Sequence, residues 1–255
     1  VLMSGSFVQR GEPAIFDKYL RTKTALLAGA DLVLEIPAAF STASAHEFAA
    51  YGVALLSAIG VDAVVFGSEC GQIEILKQAA YALNHESAEF RERLQKGLKA
   101  GLTYPQARAK ALEMEDTWAS VLSSPNNILG IEYLRAAEDL HSPMEFYTIS
   151  RKGSGYHEDT LADASFPSAS AIRGIIRNSL SKDKDLLDIL ASHLPAVTHP
   201  AYTGAVPVFV DDFSGLLNAT VLQMQATFSI ADLSPELAAR LAKPPYFPLS
   251  FEERI

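Results

Sequence analysis

The stretch from Leu32 to Phe66, LVLEIPAAFSTASAHEFAAYGVALLSAIGVDAVVF, reads as a strand, a helix and a second strand. Leu32–Ile36 is a short apolar run stopped by Pro37, the pattern of a buried strand. Ser44-Ala-His-Glu47 is a capping box: the serine oxygen takes one orphan amide of the first turn and the glutamate takes another. The helix it opens carries Phe48, Leu55, Leu56 and Ile59 on one face, and Gly60 closes it. Val61–Phe66 then follows as a second apolar strand. Upstream, Leu2–Gly5 reads as the end of a further strand. Glu12–Ala28 reads as a helix with Ile15, Tyr19 and Leu26 on one side and Gly29 as its C-cap. Strands alternating with helices imply parallel pairing through right-handed crossovers, the arithmetic of a doubly wound α/β sheet. Ligands of such sheets sit beyond the carboxyl ends of the strands. Here that means the loops Ser4–Pro13, Pro37–Ser44 and Gly67–Gly71.

Downstream the rhythm changes. Helices are expected at Ile73–Leu83, Glu86–Leu98, Pro105–Val121 and Ile128–Leu140, with a returning strand at Met144–Ser150. A loop from Arg151 to Pro167 leads to a helix that Ser168 caps and that runs to about Leu180. Further helices are expected at 183–193, 212–226 and 234–242, punctuated by Pro195, Pro200, Pro207 and the proline-rich 243–248. The expected division is an α/β unit over 1–180, with a helical insertion at about 73–140, and a mostly helical region over 181–255.

Composition narrows the function classes. With 255 residues, 49% hydrophobic and 20% charged, the chain buries a sizeable core, which excludes intrinsic disorder as the main state. No run of eighteen apolar residues occurs, so no transmembrane helix is expected. A single cysteine, Cys70, excludes a disulfide framework and a multi-cysteine zinc site, and points to a reducing, cytosolic setting. It carries no nearby signal of activation and reads as an inert thiol. The net charge of −9 argues against a protein coated in basic charge, although a local basic patch is compatible with it. Val1 opens on what reads as a strand end, and Ser250–Ile255 reads as the start of a helix, so the chain is expected to be the middle of something longer.

Several segments carry chemistry-bearing residues. Ser4–Pro13, a glycine- and serine-containing loop leading into a helix with Lys18, Arg21 and Lys23, presents amides and cations to an anion. A solvated basic helix face accounts for the same cations. In Val65–Glu69 an apolar strand ends at Phe66, and Gly67 lets a ligand approach the backbone closely; an ordinary strand-to-helix turn is the alternative. Asn126 and Asn127 stand before an apolar helix, one as a cap and the other with an amide to spare. Arg151 and Lys152 beside glycines suit phosphate contact. His157, alone in that loop, reads as solvated rather than catalytic. Ser168, Ser170 and Arg173 bring hydroxyls and a guanidinium to one helix start, where a plain serine cap with a surface arginine is the alternative. No Gly-x-Ser-x-Gly elbow, Walker A sequence, His-Glu-x-x-His or Gly-x-Gly-x-x-Gly occurs, and few acidic residues are spaced as a metal cluster, with Asp211 and Asp212 adjacent on what reads as surface.

Taken together, Met3-Ser-Gly-Ser-Phe-Val-Gln-Arg-Gly-Glu-Pro-Ala14, Gly29-Ala-Asp-Leu-Val-Leu-Glu-Ile-Pro37, Phe66-Gly-Ser-Glu69, Pro125-Asn-Asn-Ile-Leu-Gly-Ile-Glu-Tyr133 and Ser168-Ala-Ser-Ala-Ile-Arg173 resemble the bacterial tRNA(Met) cytidine acetate ligases. These are a branch of the HxGH nucleotidyltransferase-like proteins. The resemblance covers roughly residues 1–180, in the expected order, and thins out beyond Thr198. It implies a Rossmann-like, HUP-type parallel sheet, with the family's first strand and its histidine-containing ATP signature upstream of Val1 and its basic C-terminal portion after Ile255. It also implies ATP-dependent activation of acetate to acetyl-adenylate with release of pyrophosphate. The acetyl group then passes to N4 of the wobble cytidine of elongator methionine tRNA.

By the same resemblance, Gly67, Asn126, Asn127, Arg151, Lys152, Ser168 and Ser170 match ATP-contacting positions, and Arg151 and Arg173 are expected to act on the phosphates. Mg²⁺ is expected to bridge the phosphates, with no protein metal site. Such chemistry needs no protein nucleophile, because acetate is already ionised near neutral pH. Alignment of the reactants supplies up to about 7–11 kcal/mol. Each well-placed donor to developing charge supplies about 3–4 kcal/mol more. A tRNA substrate requires basic surface. Arg10, Lys18, Arg21 and Lys23 are the candidates, while the cations of 91–110 read as a solvated face partnered by glutamates such as Glu89 and Glu92. Two other readings stand beside this one: a nucleotidyltransferase acting on another small metabolite, and a nucleotide- or RNA-binding module without catalysis.

Overall fold

The computed structural model describes residues 1–9, 11–111, 121–122, 124–151, 169–180, 186–223 and 234–236. Two parallel strand pairs form its framework. β1 (Leu2–Ser4) pairs with β2 (Leu34–Ile36), Leu2 facing Leu34 and Ser4 facing Ile36. β3 (Ala63–Ser68) pairs with β4 (Glu145–Ser150), Ala63 facing Glu145 and Ser68 facing Ser150. Each expected strand is present and each pair is parallel. Among the described residues the two pairs are not hydrogen-bonded to one another, so the sheet is divided rather than continuous.

The helices pack as the crossovers require. α1 (Lys18–Leu27) joins β1 to β2. The short α2 (Ala38–Ser41) and then α3 (Ala45–Ala58) join β2 to β3. The capping box forms, with the Ser44 hydroxyl accepting from Glu47 N and the Glu47 carboxylate accepting from Ser44 N. α4 (Ile73–Asn84), α5 (Ala88–Lys99), α6 (Tyr104–Ala111) and α7 (Pro125–Asp139) build the insertion before β4. α8 (Ala169–Leu180), α9 (Leu186–Leu190), 3₁₀ turns at Ala196–Tyr202 and Val210–Phe213, and α10 (Ser214–Gln223) follow. The helix expected at 234–242 falls mostly outside the described residues.

Some expectations are corrected. α1 starts at Lys18, capped by Asp17 Oδ1 on Leu20 N, and not at Glu12. The residues before it are held otherwise: Pro13 bridges to Phe7, and Ile15, at φ +63°, bridges to Val208. Ile15 is therefore buried by a distant partner, whereas Tyr19 and Leu26, expected on the same face, are exposed. At the other end Gly29 adopts φ +106°, and the amides of Gly29 and Ala30 close on the carbonyls of Leu26 and Ala25 in a Schellman motif. α3 buries Ala49, Gly52 and Val53, small residues that let β1 and α7 approach, and leaves Ile59 exposed.

Two cores result. The larger joins Val53, Leu76, Leu83, Ile131, Met144 and Phe146 of the α/β layer. Burying such a side chain fully contributes about 1.5–3 kcal/mol. Phe66 of β3 sits edge-on to Tyr133 of α7, with ring centroids 5.6 Å apart. Gly130 permits this approach, because a Cβ there would collide with the Phe66 ring. The smaller core joins Ile15, Ile176, Leu186, Leu190 and Tyr202, and it ties the loop after β1 to the C-terminal helices. The β3–β4 pair alternates as a half-covered sheet. Val64, Phe66 and Phe146 point inward, while Val65, Tyr147 and Ile149 face solvent.

Candidate functional site

The parallel register brings the ends of β3 and β4 side by side. Arg151 N donates to Ser68 O at 3.0 Å, and a Cβ at Gly67 would lie 3.4 Å from Arg151 Cγ. Gly67 and Arg151 are thus neighbours, and both are exposed. Beneath them Ser68 is fully buried. Thr148 Oγ1 gives its proton to Phe66 O, so the 2.7 Å contact between the two hydroxyls has Ser68 as donor. Ser68 Oγ in turn accepts from Gly71 N at 3.0 Å. Gly71 has φ +62°, and a Cβ there would sit 2.6 Å from Ser150 Cβ, so only glycine fits this turn.

The next residue joins these strand ends to α7. Glu69 Oε1 accepts from Asn126 Nδ2 at 2.6 Å and from Asn126 N at 3.3 Å, and Oε2 accepts from Asn127 N at 2.9 Å. A carboxylate against free amides of a first turn is favoured by both hydrogen bonding and the helix dipole. The expected role of the asparagines is corrected accordingly. Neither is the N-cap: Ser124 occupies that position, Pro125 follows, and both asparagines lie inside the first turn. Asn127 is 2% exposed, with its Oδ1 accepting from Cys70 N at 3.1 Å. It locks the loop, whereas Asn126 lines a cleft.

That cleft, of about 460 Å³, lies between four segments. Val8, Gln9, Glu12 and Pro13 come from the loop after β1, and Pro125, Asn126 and Leu129 from α7. Ser170, Arg173 and Arg177 come from one face of α8, and Val208–Val210 from the C-terminal region. Three sequence-derived candidates, Asn126, Ser170 and Arg173, meet here. Gly67 and Arg151 do not line the cleft; they adjoin it through the Glu69–Asn126 contact. Lys152, Ser168 and His157 lie outside the described residues. Sequence reasoning missed Glu69, Gln9, Glu12 and Arg177. Arg177 had a readable signal, since it stands one turn beyond Arg173; its guanidinium lies over the Phe209 ring, 5.1 Å from the centroid.

The basic residues of α1 differ from one another. Arg21 donates to the carbonyls of Ser4 at 2.8 Å, Gly5, and Phe16 at 3.1 Å, and burial pushes its guanidinium below the usual range. It organises the strand-end loop. Lys18 pairs with Glu35 at 2.7 Å, and the hydrogen bond to that carboxylate raises its ammonium. Lys23 is exposed, and Arg10 lies outside the described residues. In α5, Arg93 pairs with Glu89, and Arg91 lies 3.7 Å from Glu86, the partnered face expected there. Among the described residues, no group of three His, Cys, Asp or Glu could hold a metal, and no helix is long and apolar enough to cross a membrane.

The chain resembles known proteins along nearly its whole length. A family model described as HIGH Nucleotidyl Transferase matches residues 1–253. A tRNA(Met) cytidine acetate ligase of Clostridium novyi is 46% identical over 202 residues, 77% of this chain and 49% of the relative. One from Caldicellulosiruptor bescii is 39% identical over 228 residues, 87% of this chain and 55% of the relative. The crystal structure of Thermotoga maritima TmcAL bound with alpha-thio ATP aligns with TM-score 0.82 and 34% identity, covering 94% of this chain and 58% of that one. Its apo form aligns with TM-score 0.84. The chain thus spans about half the length of the curated relatives it matches.

Proposed function

From the membership of this chain in the HIGH nucleotidyltransferase family, we propose that it is the nucleotide-binding part of an ATP-dependent ligase of the tRNA(Met) cytidine acetate ligase type. The reaction forms acetyl-adenylate from ATP and acetate and passes the acetyl group to N4 of the wobble cytidine of elongator methionine tRNA. The observation that carries this reading is the cleft that gathers Asn126, Ser170 and Arg173, in a fold that matches a relative solved with an ATP analogue.

In this reading the nucleotide lies across the cleft toward the ends of β3 and β4. Asn126 meets the nucleoside. Ser170 and Arg173, with Ser168, hold phosphate oxygens. Gly67 admits the ligand close to the backbone, Asn127 fixes the loop beneath it, Arg151 approaches from the end of β4, and Lys152, next in sequence, is a further phosphate contact. The guanidiniums of Arg151 and Arg173 offset the repulsion between acetate and the α-phosphate and stabilise the charge that builds on transfer. Mg²⁺ would be held by the phosphate oxygens of the nucleotide and would offset their charge. The α/β unit spans 1–180 and the helical part 181–255. Transfer RNA meets the basic side chains Arg10, Lys18 and Lys23, where the exposure of Lys23 favours a direct phosphate contact; Arg21, spent on the carbonyls of Ser4, Gly5 and Phe16, supports the loop beside them instead. The setting is the cytoplasm, where the tRNA is.

The test is ATP–pyrophosphate exchange with the natural full-length protein. Exchange that depends on acetate and falls in Arg151→Ala is the expected result. Exchange that ignores acetate and follows another acid favours the broader nucleotidyltransferase reading. ATP binding without pyrophosphate release favours a binding module.

A further inference from the structure

The Glu69–Asn126 contact fixes something that the sequence leaves open. A side-chain amide has a donor end and an acceptor end of nearly equal size, and its orientation is set by its partners. A carboxylate only accepts. With Asn126 at 2.6 Å from Glu69 Oε1, the amide nitrogen must be the end turned to Glu69, because the reverse would oppose two oxygens. The carboxylate cannot swing away, since its other oxygen is held by Asn127 N at 2.9 Å and its first also accepts from Asn126 N. Asn127 is itself locked on Cys70 N. Asn126 therefore lines the cleft with its nitrogen tethered to the wall, and among the described residues no donor reaches its Oδ1.

We infer that Glu69 is a positioning residue that makes Asn126 an acceptor toward the ligand, so that the cleft selects a nucleotide presenting a hydrogen-bond donor at that point. The donor is an exocyclic amine of the base or a sugar hydroxyl. This rests on the nucleotide-binding reading above. A site built around one fixed acceptor discriminates against an analogue lacking the donor, because the acceptor then stays unpaired in a partly desolvated place. Glu69 touches no ligand in this scheme and works only through Asn126.

The experiment is calorimetric titration of the natural full-length protein with ATP, with inosine triphosphate, which lacks the amine, and with 2′-deoxy and 3′-deoxy ATP, which each lack one hydroxyl. Wild-type protein is expected to prefer ATP over one of these analogues by about tenfold, the size of one lost hydrogen bond. The weakened analogue identifies the donor. In Asn126→Ala the preference falls to about one. In Glu69→Gln the single remaining carbonyl serves Asn127 N, the Asn126 amide is free to turn over, and the preference falls several-fold or inverts. Asn126→Asp keeps an acceptor but is repelled by Glu69, and it too is expected to lose the preference, which covers the case in which Glu69→Gln does not fold. Equal weakening of ATP and all analogues in Glu69→Gln, or an intact preference in Asn126→Asp, would mean a merely structural contact and would overturn the inference. Wild-type protein that binds ATP and every analogue alike overturns it too, while leaving the nucleotide reading in place. Wild-type protein that binds no ATP removes both.

Discussion

Two helices begin at the same cleft, and their first turns are built for opposite purposes. α7 (Pro125–Asp139) arrives with its anion already supplied, because the Glu69 carboxylate occupies the amides of Asn126 and Asn127. α8 (Ala169–Leu180) offers Ser170, Arg173 and Arg177 to the opening. The first helix start is thereby turned into scaffold, and the cationic groups of the cleft are concentrated on the second. A phosphate seeking the N-terminus of a helix finds α7 already neutralised, so under the proposed function the triphosphate is expected toward α8.

Exchanging the properties of the two ends breaks this contrast or sharpens it. The largest effect is expected at Arg173→Ala, which should lower kcat/KM for pyrophosphate exchange by about 10²–10³-fold with an unchanged unfolding midpoint. A drop in thermal stability of the same variant would place Arg173 in the scaffold instead. The scaffold side has its own signature in alkali. Burial raises the Tyr133 phenol to about 12, so the folded state keeps a proton that the unfolded chain loses near pH 10. The stability it lends is fully present below pH 10 and is lost as pH rises toward 12, up to about 2–3 kcal/mol. Denaturant titrations of wild type and Tyr133→Phe across this range should differ by that limb, and coincident curves would refute it.

Next in size, Glu69→Ala should cost about 1–2 kcal/mol of folding stability, the scale of a lost helix cap. Ser170→Ala, half-buried in the first turn of α8, should shift stability by less than about 0.5 kcal/mol while weakening ATP. Chemical denaturation checks both; equal losses would erase the distinction between the two helix ends. The smallest effect is expected for Lys23→Ala, which should reduce the salt dependence of tRNA binding by about one phosphate contact and leave acetate activation alone. An unchanged salt slope would remove Lys23 from the tRNA surface.

What was legible in the sequence was what is local. The Ser44–Glu47 box spans one turn, Gly29 closes α1 with amides within five residues, and the apolar runs of β2 and β3 identify themselves. What was not legible is held by distant partners. Ile15 sits in a left-handed backbone conformation because Val208 bridges to it, and no helix-forming pattern around Glu12 contains that fact. The asparagine pair signals a polar task, but its carboxylate partner stands 57 residues earlier in the chain. Arg21 reads as a surface cation in the sequence, yet folding places the carbonyls of Ser4 and Gly5 within its reach. In the site, then, residue type pointed to the chemistry and only the fold could assign the geometry.

The turn at Gly71 has a consequence for variation. Its φ of +62° would by itself still admit asparagine or aspartate, residues that occupy the left-handed region in many turns. The flank of Ser150 leaves no room for their Cβ, so steric exclusion and backbone hand act together. A saturation library at position 71 should therefore return a single viable amino acid, and because Ser150 Cα also lies 3.0 Å from that Cβ position, trimming the Ser150 side chain should not admit a second.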